Sequence, residues 1–151
     1  MAIWDEALLH ATALLPASYR EAALTQNLPQ NVEEIRLRAG QAAALRTILG
    51  ETPLASLPPV TPQLLRQVLE RATGSSYHSV VDHLRQGCVT APGGCRIGIC
   101  GTAAMENGTL VTIRDISSLA IRVARDHPGI ALSFLNALFQ INQPLTSPTV
   151  K

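Results

Sequence analysis

Ala91-Pro92-Gly93-Gly94-Cys95-Arg96-Ile97-Gly98-Ile99-Cys100-Gly101 is the stretch whose reading decides the fold. It holds two of the three cysteines and four of the ten glycines. Three readings compete: a phosphate loop, a metal site, and a turn feeding a strand. Gly93 and Gly98 give G-x-x-x-x-G, but a phosphate loop then needs Lys and Ser or Thr, because the ammonium reaches the phosphates and the hydroxyl holds magnesium. Ile99 and Cys100 stand there instead, and G-x-G-x-x-G is absent. Cys88, Cys95 and Cys100 lack the C-x-x-C spacing of zinc sites. Cys95 and Cys100 are an odd number apart, so on one strand they face opposite sides. What remains is a Gly-Gly turn entering a strand. Cys95, Ile97 and Ile99 alternate with Arg96, Gly98 and Cys100. Gly98 falls on the polar face and Gly101 on the apolar one, each permitting close approach or a bulge.

The period of two continues outward from this strand. Asn107-Gly108 is the strongest short hairpin signal in the chain. It joins the strand to Thr109–Ile113, and Leu119, Ile121 and Val123 then alternate with Ala120, Arg122 and Ala124. Upstream, Ile35, Leu37 and Ala39 alternate with Glu34, Arg36 and Arg38, a half-buried strand. Gly40-Gln41 turns into a second strand near Ala43–Leu49. Residues 50–60, with Pro53, Pro58 and Pro59, read as a connector.

Helical period brackets these strands. Ile3, Trp4, Ala7, Leu8, Ala11, Leu14 and Leu15 share one face, and Pro16 ends that helix or opens another over 17–25. Asn27 to Asn31 is a loop. Thr61-Pro62 starts a helix striped by Leu64, Leu65, Val68 and Leu69, stopping near Gly74. Tyr77, Val80, Val81 and Leu84 mark a short helix ending at Gly87. Asp126-His127-Pro128-Gly129 breaks the sheet. Ile130, Phe134, Leu135, Leu138 and Phe139 mark a last helix, and the tail from Gln140 reads as a linker. Strands and helices are segregated, which predicts α+β with a mostly antiparallel sheet flanked by helices. The expected organisation is an N-terminal helical segment over 1–27, an α+β domain over 28–128, and a helix and linker over 129–151.

Composition bounds the function. The 151 residues are 46% hydrophobic and 15% charged, enough for a packed core. Aromatics are 3%, too few for a base-stacking platform, and the net charge of +1 gives no pull toward nucleic acid. No apolar run reaches the roughly 18–20 residues of a membrane helix, so direct membrane insertion is not expected. The N-terminus lacks the basic region of a secretion signal, and three cysteines are an odd number, so a cytoplasmic chain with reduced thiols is the expectation.

Eleven of the twelve basic residues are Arg. A GC-rich genome accounts for this as readily as a phosphate site does. Their placement says more. Arg36 and Arg38 share the polar face of one strand, Arg96 and Arg122 lie on the polar faces of two others, and Arg114 and Arg125 flank the strand carrying Arg122. Such a face suits phosphate or a partner's carboxylates; a solvated face with local ion pairs is the plainer alternative. No local Cys–His or carboxylate signature supports a catalytic centre, and metal binding is not expected.

Three blocks, Glu33 to Gly40, Val89 to Gly101 and Ile113 to Arg125, in this order and spacing, resemble the stage III sporulation protein AA family. The resemblance covers about residues 30–130. It implies a PAS-like α+β domain preceding a RecA-like core, as in the ring ATPases of type II and type IV secretion and pilus retraction. It further implies a cytoplasmic mother-cell ATPase energising the channel between mother cell and forespore. ATP and magnesium, a hexameric homo-oligomer and membrane-anchored spore channel proteins as partners follow for the full-length protein. The family's Walker A loop is missing from this sequence, so the expected role is an N-terminal oligomerisation and regulatory domain, with no catalytic residue in the chain. Arginines of that domain reach a neighbouring subunit's nucleotide in those ATPases. The matching blocks suggest Arg114, Arg122 and Arg125 for this, with Arg36 and Arg38 as further interface candidates. A non-enzymatic adaptor docking a membrane-anchored partner, and a PAS-like sensor, are the competing readings.

Overall fold

A computed structural model describes residues 5–26, 32–74, 83–125 and 129–141. Among the described residues the helices are α1 (Glu6–Ala13), α2 (Ala17–Thr25), α3 (Pro62–Ala72) and α4 (Leu132–Ile141), and residues 83–85 are helical as well. Six strands, β1 (Glu34–Arg38), β2 (Ala44–Thr47), β3 (Gly50–Pro53), β4 (Cys88–Thr90), β5 (Arg96–Glu106) and β6 (Thr109–Arg122), form one sheet in the order β3-β2-β1-β6-β5-β4. Every neighbouring pair is antiparallel, as segregated elements predict.

Period two sorts the two faces. Leu45, Ile35, Ile121, Ile97 and Val89 align in one cross-strand row on the inner face, and all five are buried. Each such side chain contributes about 1.5–3 kcal/mol by leaving water. Leu8 and Ala11 of the first helix, Leu15 just beyond it, Tyr19 and Ala23 of the second, and Leu65, Val68 and Leu69 of α3 close over this row in one core cluster. The Tyr19 hydroxyl donates to the Pro58 carbonyl at 2.8 Å and ties α2 to the proline segment. The outer face of the sheet carries no helix among the described residues and holds the polar half of each strand.

Local signals set the element ends. Asp5 caps α1, its Oδ1 accepting from the Ala7 amide at 3.0 Å. Thr61 caps α3, accepting from the Leu64 amide at 3.1 Å, with Pro62 in the first turn. Asn107 and Gly108 both have positive φ, 50° and 77°, the pairing a tight primed hairpin turn requires.

The structure departs from the sequence reading in three places. The 50–60 segment is not all connector: Gly50–Pro53 is β3, and Pro53 is tolerated because β3 is an edge strand. Thr109–Ile113 and the Leu119 strand are one continuous β6, kinked rather than ended at Asp115, whose φ is 44°. The last helix runs to Ile141, so Gln140 and Ile141 belong to it rather than to a linker. The expectations for residues 1–4, 27–31, 75–82, 126–128 and 142–151 lie outside the described residues.

Gly101 earns its place at the kink. A Cβ there would come within 2.5 Å of the Arg114 carbonyl and 2.7 Å of Ile113 Cγ2. Beyond it β5 and β6 leave the sheet as a two-stranded arm. In α4 the described side chains are exposed, Phe134 and Phe139 among them at 65% and 69%. Among the described residues no helix is long and apolar enough to cross a membrane.

Candidate functional site

The open face of the sheet is organised in cross-strand rows. One row runs Glu51, Arg46, Glu34, Arg122, Arg96 and Thr90 across all six strands. The next runs Pro53, Ala44, Arg36, Ala120, Gly98 and Cys88. Arg38 stands one step further, opposite Ser118.

Arg36 and Arg38 are satisfied within the chain. Arg36 Nε donates to Glu34 Oε1 at 2.5 Å and Arg36 Nη1 to Glu51 Oε2 at 2.8 Å. Arg38 Nη1 donates to Glu51 Oε1 at 2.7 Å. The Glu51 side chain reaches over Ala44, which is only 3% exposed although it sits on the open face. The hydrogen bond from Arg38, with that from Arg36, outweighs burial and holds the Glu51 carboxyl below its ordinary value. The Glu34 hydrogen bond, with the Glu51 one, raises the Arg36 guanidinium in turn.

The other half of the face differs. Arg96 and Arg122 are direct cross-strand partners. Like charges in that relation repel. Neither has a carboxylate partner among the described residues. Arg96 Nη2 donates only to Cys88 Sγ, at 3.4 Å. At this end of the sheet lies an open cleft of about 650 Å³, lined by Arg46, Arg96, Arg122 and Arg125 together with Glu33 and Glu34. Gly94 of the opening Gly-Gly turn forms part of its wall.

Arg125 enters the cleft from the segment that leaves β6. Its Nε donates to Asp5 Oδ2, the free oxygen of the α1 cap. Burial pushes the Asp5 carboxyl up, but the Arg125 and Ala7 hydrogen bonds and the Arg125 charge prevail, and the group ends below its ordinary value. The Arg125 side chain is 16% exposed. Its Nη2 is buried and has no hydrogen-bond partner among the described residues.

Of the predicted arginines, the structure brings Arg122 and Arg125 together at the cleft. Arg36 and Arg38 lie on the same face but are tied to Glu34 and Glu51. Arg114 is elsewhere: it pairs with Thr102 on the arm, eight residues and roughly 27 Å along β6 from Arg122. Arg46, not singled out from sequence, lines the cleft; its signal was its place opposite Glu34, visible only once the β1–β2 register is known. Cys95 is buried and Cys100 exposed, on opposite faces as their odd spacing requires. Among the described residues no cluster of His, Cys, Asp and Glu could hold a metal ion.

Comparison with known proteins places this arrangement. The family model described as Sporulation stage III, protein AA matches residues 10–149. Stage III sporulation protein AA of Bacillus subtilis (strain 168) is 32% identical over 131 residues, which is 84% of this chain and 41% of that relative. The chain thus spans less than half the length of this relative. No solved structure matches. The match over nearly the whole chain shows that it belongs to the Sporulation stage III, protein AA family.

Proposed function

We propose that the chain is the N-terminal oligomerisation and regulatory domain of a sporulation-specific, secretion-type ATPase that energises the channel complex between mother cell and forespore. The family and the relative's name support the sporulation role. An antiparallel sheet with one helix-covered face is compatible with a PAS-like domain preceding a RecA-like core. In the full-length protein, ATP and magnesium sit on that core, and a hexameric ring sets this domain against a neighbouring subunit. The assembly works in the mother-cell cytoplasm and reaches the membrane through anchored channel proteins.

The single observation that carries the reading is the pair Arg122 and Arg125. They stand on one open cleft, on the segment that leads out of the sheet. A guanidinium delivered from one subunit to another's nucleotide stabilises charge developing on the transferred phosphoryl group. Arg36 and Arg38 contribute less, because Glu34 and Glu51 already engage them. The same pairing weakens the adaptor reading, which needs those charges free for a partner's carboxylates. The test is Arg122→Ala in the full-length protein. ATP turnover of the assembled ring should fall while the circular dichroism spectrum and melting temperature hold. Unchanged turnover in an intact ring would contradict the assignment.

A further inference from the structure

The cleft has two properties that the family reading does not require. Arg96 and Arg122 face each other across β5 and β6 with no intervening carboxylate among the described residues. Of the two carboxylates on the wall, Glu34 is already engaged by Arg36 Nε at 2.5 Å. Both arginines line the cleft, and a tetrahedral oxyanion there can accept from both guanidinium forks at once, with Arg96 Nη2 giving up its weak contact to Cys88 Sγ. The second property is the state of Arg125. Asp5 holds its Nε, while its Nη2 is buried and unsatisfied. A buried N–H without an acceptor is a costly arrangement. A ligand oxygen in the cleft would supply the acceptor, if Arg125 turned toward it.

We propose that this cleft is a phosphate-binding site, gripped by Arg96 and Arg122, and that Asp5 on the cap of α1 competes with the ligand for Arg125. The proposal takes the Arg122–Arg125 pair from the reading above and rests on it to that extent. It adds Arg96 as a ligand-binding residue and the N-terminal helix as a regulator. Coupling between two interactions is reciprocal. Occupancy of the cleft loosens Asp5 from Arg125, and loss of the Asp5 charge tightens occupancy. Asn is as good a helix cap as Asp, so Asp5→Asn removes the competition and leaves α1 capped.

The experiment titrates inorganic phosphate, pyrophosphate and ATP without magnesium into the 151-residue chain, by calorimetry at constant ionic strength. Arginine Nε–H NMR signals report which groups respond. Saturable binding is expected, with Arg96, Arg122 and Arg125 signals shifting and Arg114 still. Arg96→Gln combined with Arg122→Gln should weaken pyrophosphate at least tenfold, Arg114→Gln should leave it unchanged, and Asp5→Asn should tighten it several-fold. Pyrophosphate and ATP of equal affinity identify the free phosphate group as the ligand. ATP clearly tighter identifies a nucleotide's phosphates; either result supports the site. Three results overturn it: no saturation, equal loss with Arg114→Gln, or succinate binding as tightly as pyrophosphate. An Asp5→Asn variant that binds more weakly or identically overturns the competition. Because no turnover is measured, failure here is separable from failure of the ATPase test.

Discussion

Two halves of one sheet face carry the same residue type to opposite ends. Toward β3, Arg36 and Arg38 close on Glu34 and Glu51 and cover Ala44. Toward β4, Arg96 and Arg122 face each other with no carboxylate between them among the described residues. All four stand on the open face of one antiparallel sheet, but Arg36 and Arg38 are half-buried while Arg96 and Arg122 are exposed. Glu51 and Glu34 stand on the β3 side of the row, and the β4 side receives only Thr90. Arginines of this face are therefore a structural brace where Glu34 and Glu51 bond to them and an unsatisfied positive site where, as at Arg96 and Arg122, no carboxylate does among the described residues.

The largest expected effect comes from disturbing the register itself. Gly101→Val puts a side chain against the Arg114 carbonyl, where even a Cβ would sit at 2.5 Å. The bulge must then open, at a cost of about 2–3 kcal/mol. Urea unfolding reads that loss. Phosphate binding should disappear with it, since the bulge brings Arg96 opposite Arg122. Retained binding in a folded Gly101→Val protein would break the comparison, because the cleft would not depend on the register.

That dependence also explains what was legible in the sequence. Alternation revealed β1 and the body of β5, and Asn107-Gly108 revealed the hairpin. Pairing counted back from Glu106 and Thr109 would set Arg122 against Gly93. One extra residue in β6 near Val111 and two more around Asp115 move it to Arg96. Gly101 marked the sequence position where a close approach or bulge was permitted, and the structure places one there, but the number of extra residues in β6 follows from cross-strand packing that no local pattern encodes. Arg114 was grouped with Arg122 because they are near in sequence, and the arm carries it away. β3 was hidden because Pro53 reads as a breaker until the strand is known to be an edge. The Asp5–Arg125 contact spans 120 positions and leaves no mark on either segment.

A smaller effect sharpens the braced half. Glu51→Gln frees Arg38 and leaves Arg36 held by Glu34 alone, and should cost about 1 kcal/mol, since exposed ion pairs contribute little singly and more when shared. A chain of this length then melts about 2–4 °C lower. The pH dependence follows from the sign of the shift. The Glu51 and Asp5 carboxyls lie below their ordinary values. Their contribution is complete above the ordinary carboxylate range and is lost as pH falls through the lowered folded values. Thermal melts from pH 6 to pH 2 should show a shallower acid decline for Glu51→Gln than for the parent. An unchanged decline would mean that the braced arginines do not depend on that acid.

The smallest effect has the opposite sign. Arg96→Gln relieves its like-charge pairing with Arg122 while facing only Thr90 on its other side, so at low ionic strength it should stabilise by about 0.2–1 kcal/mol. Added salt should erase the gain by screening the repulsion.

The central claim is that the cleft arginines are held for an anion and the braced ones are not. The phosphate-induced rise in melting temperature, compared between Arg122→Gln and Arg38→Gln at equal ionic strength, tests it most directly. The account predicts that Arg38→Gln melts lower than the parent yet keeps the full phosphate-induced rise, while Arg122→Gln loses that rise. A phosphate response lost in Arg38→Gln and kept in Arg122→Gln would contradict it.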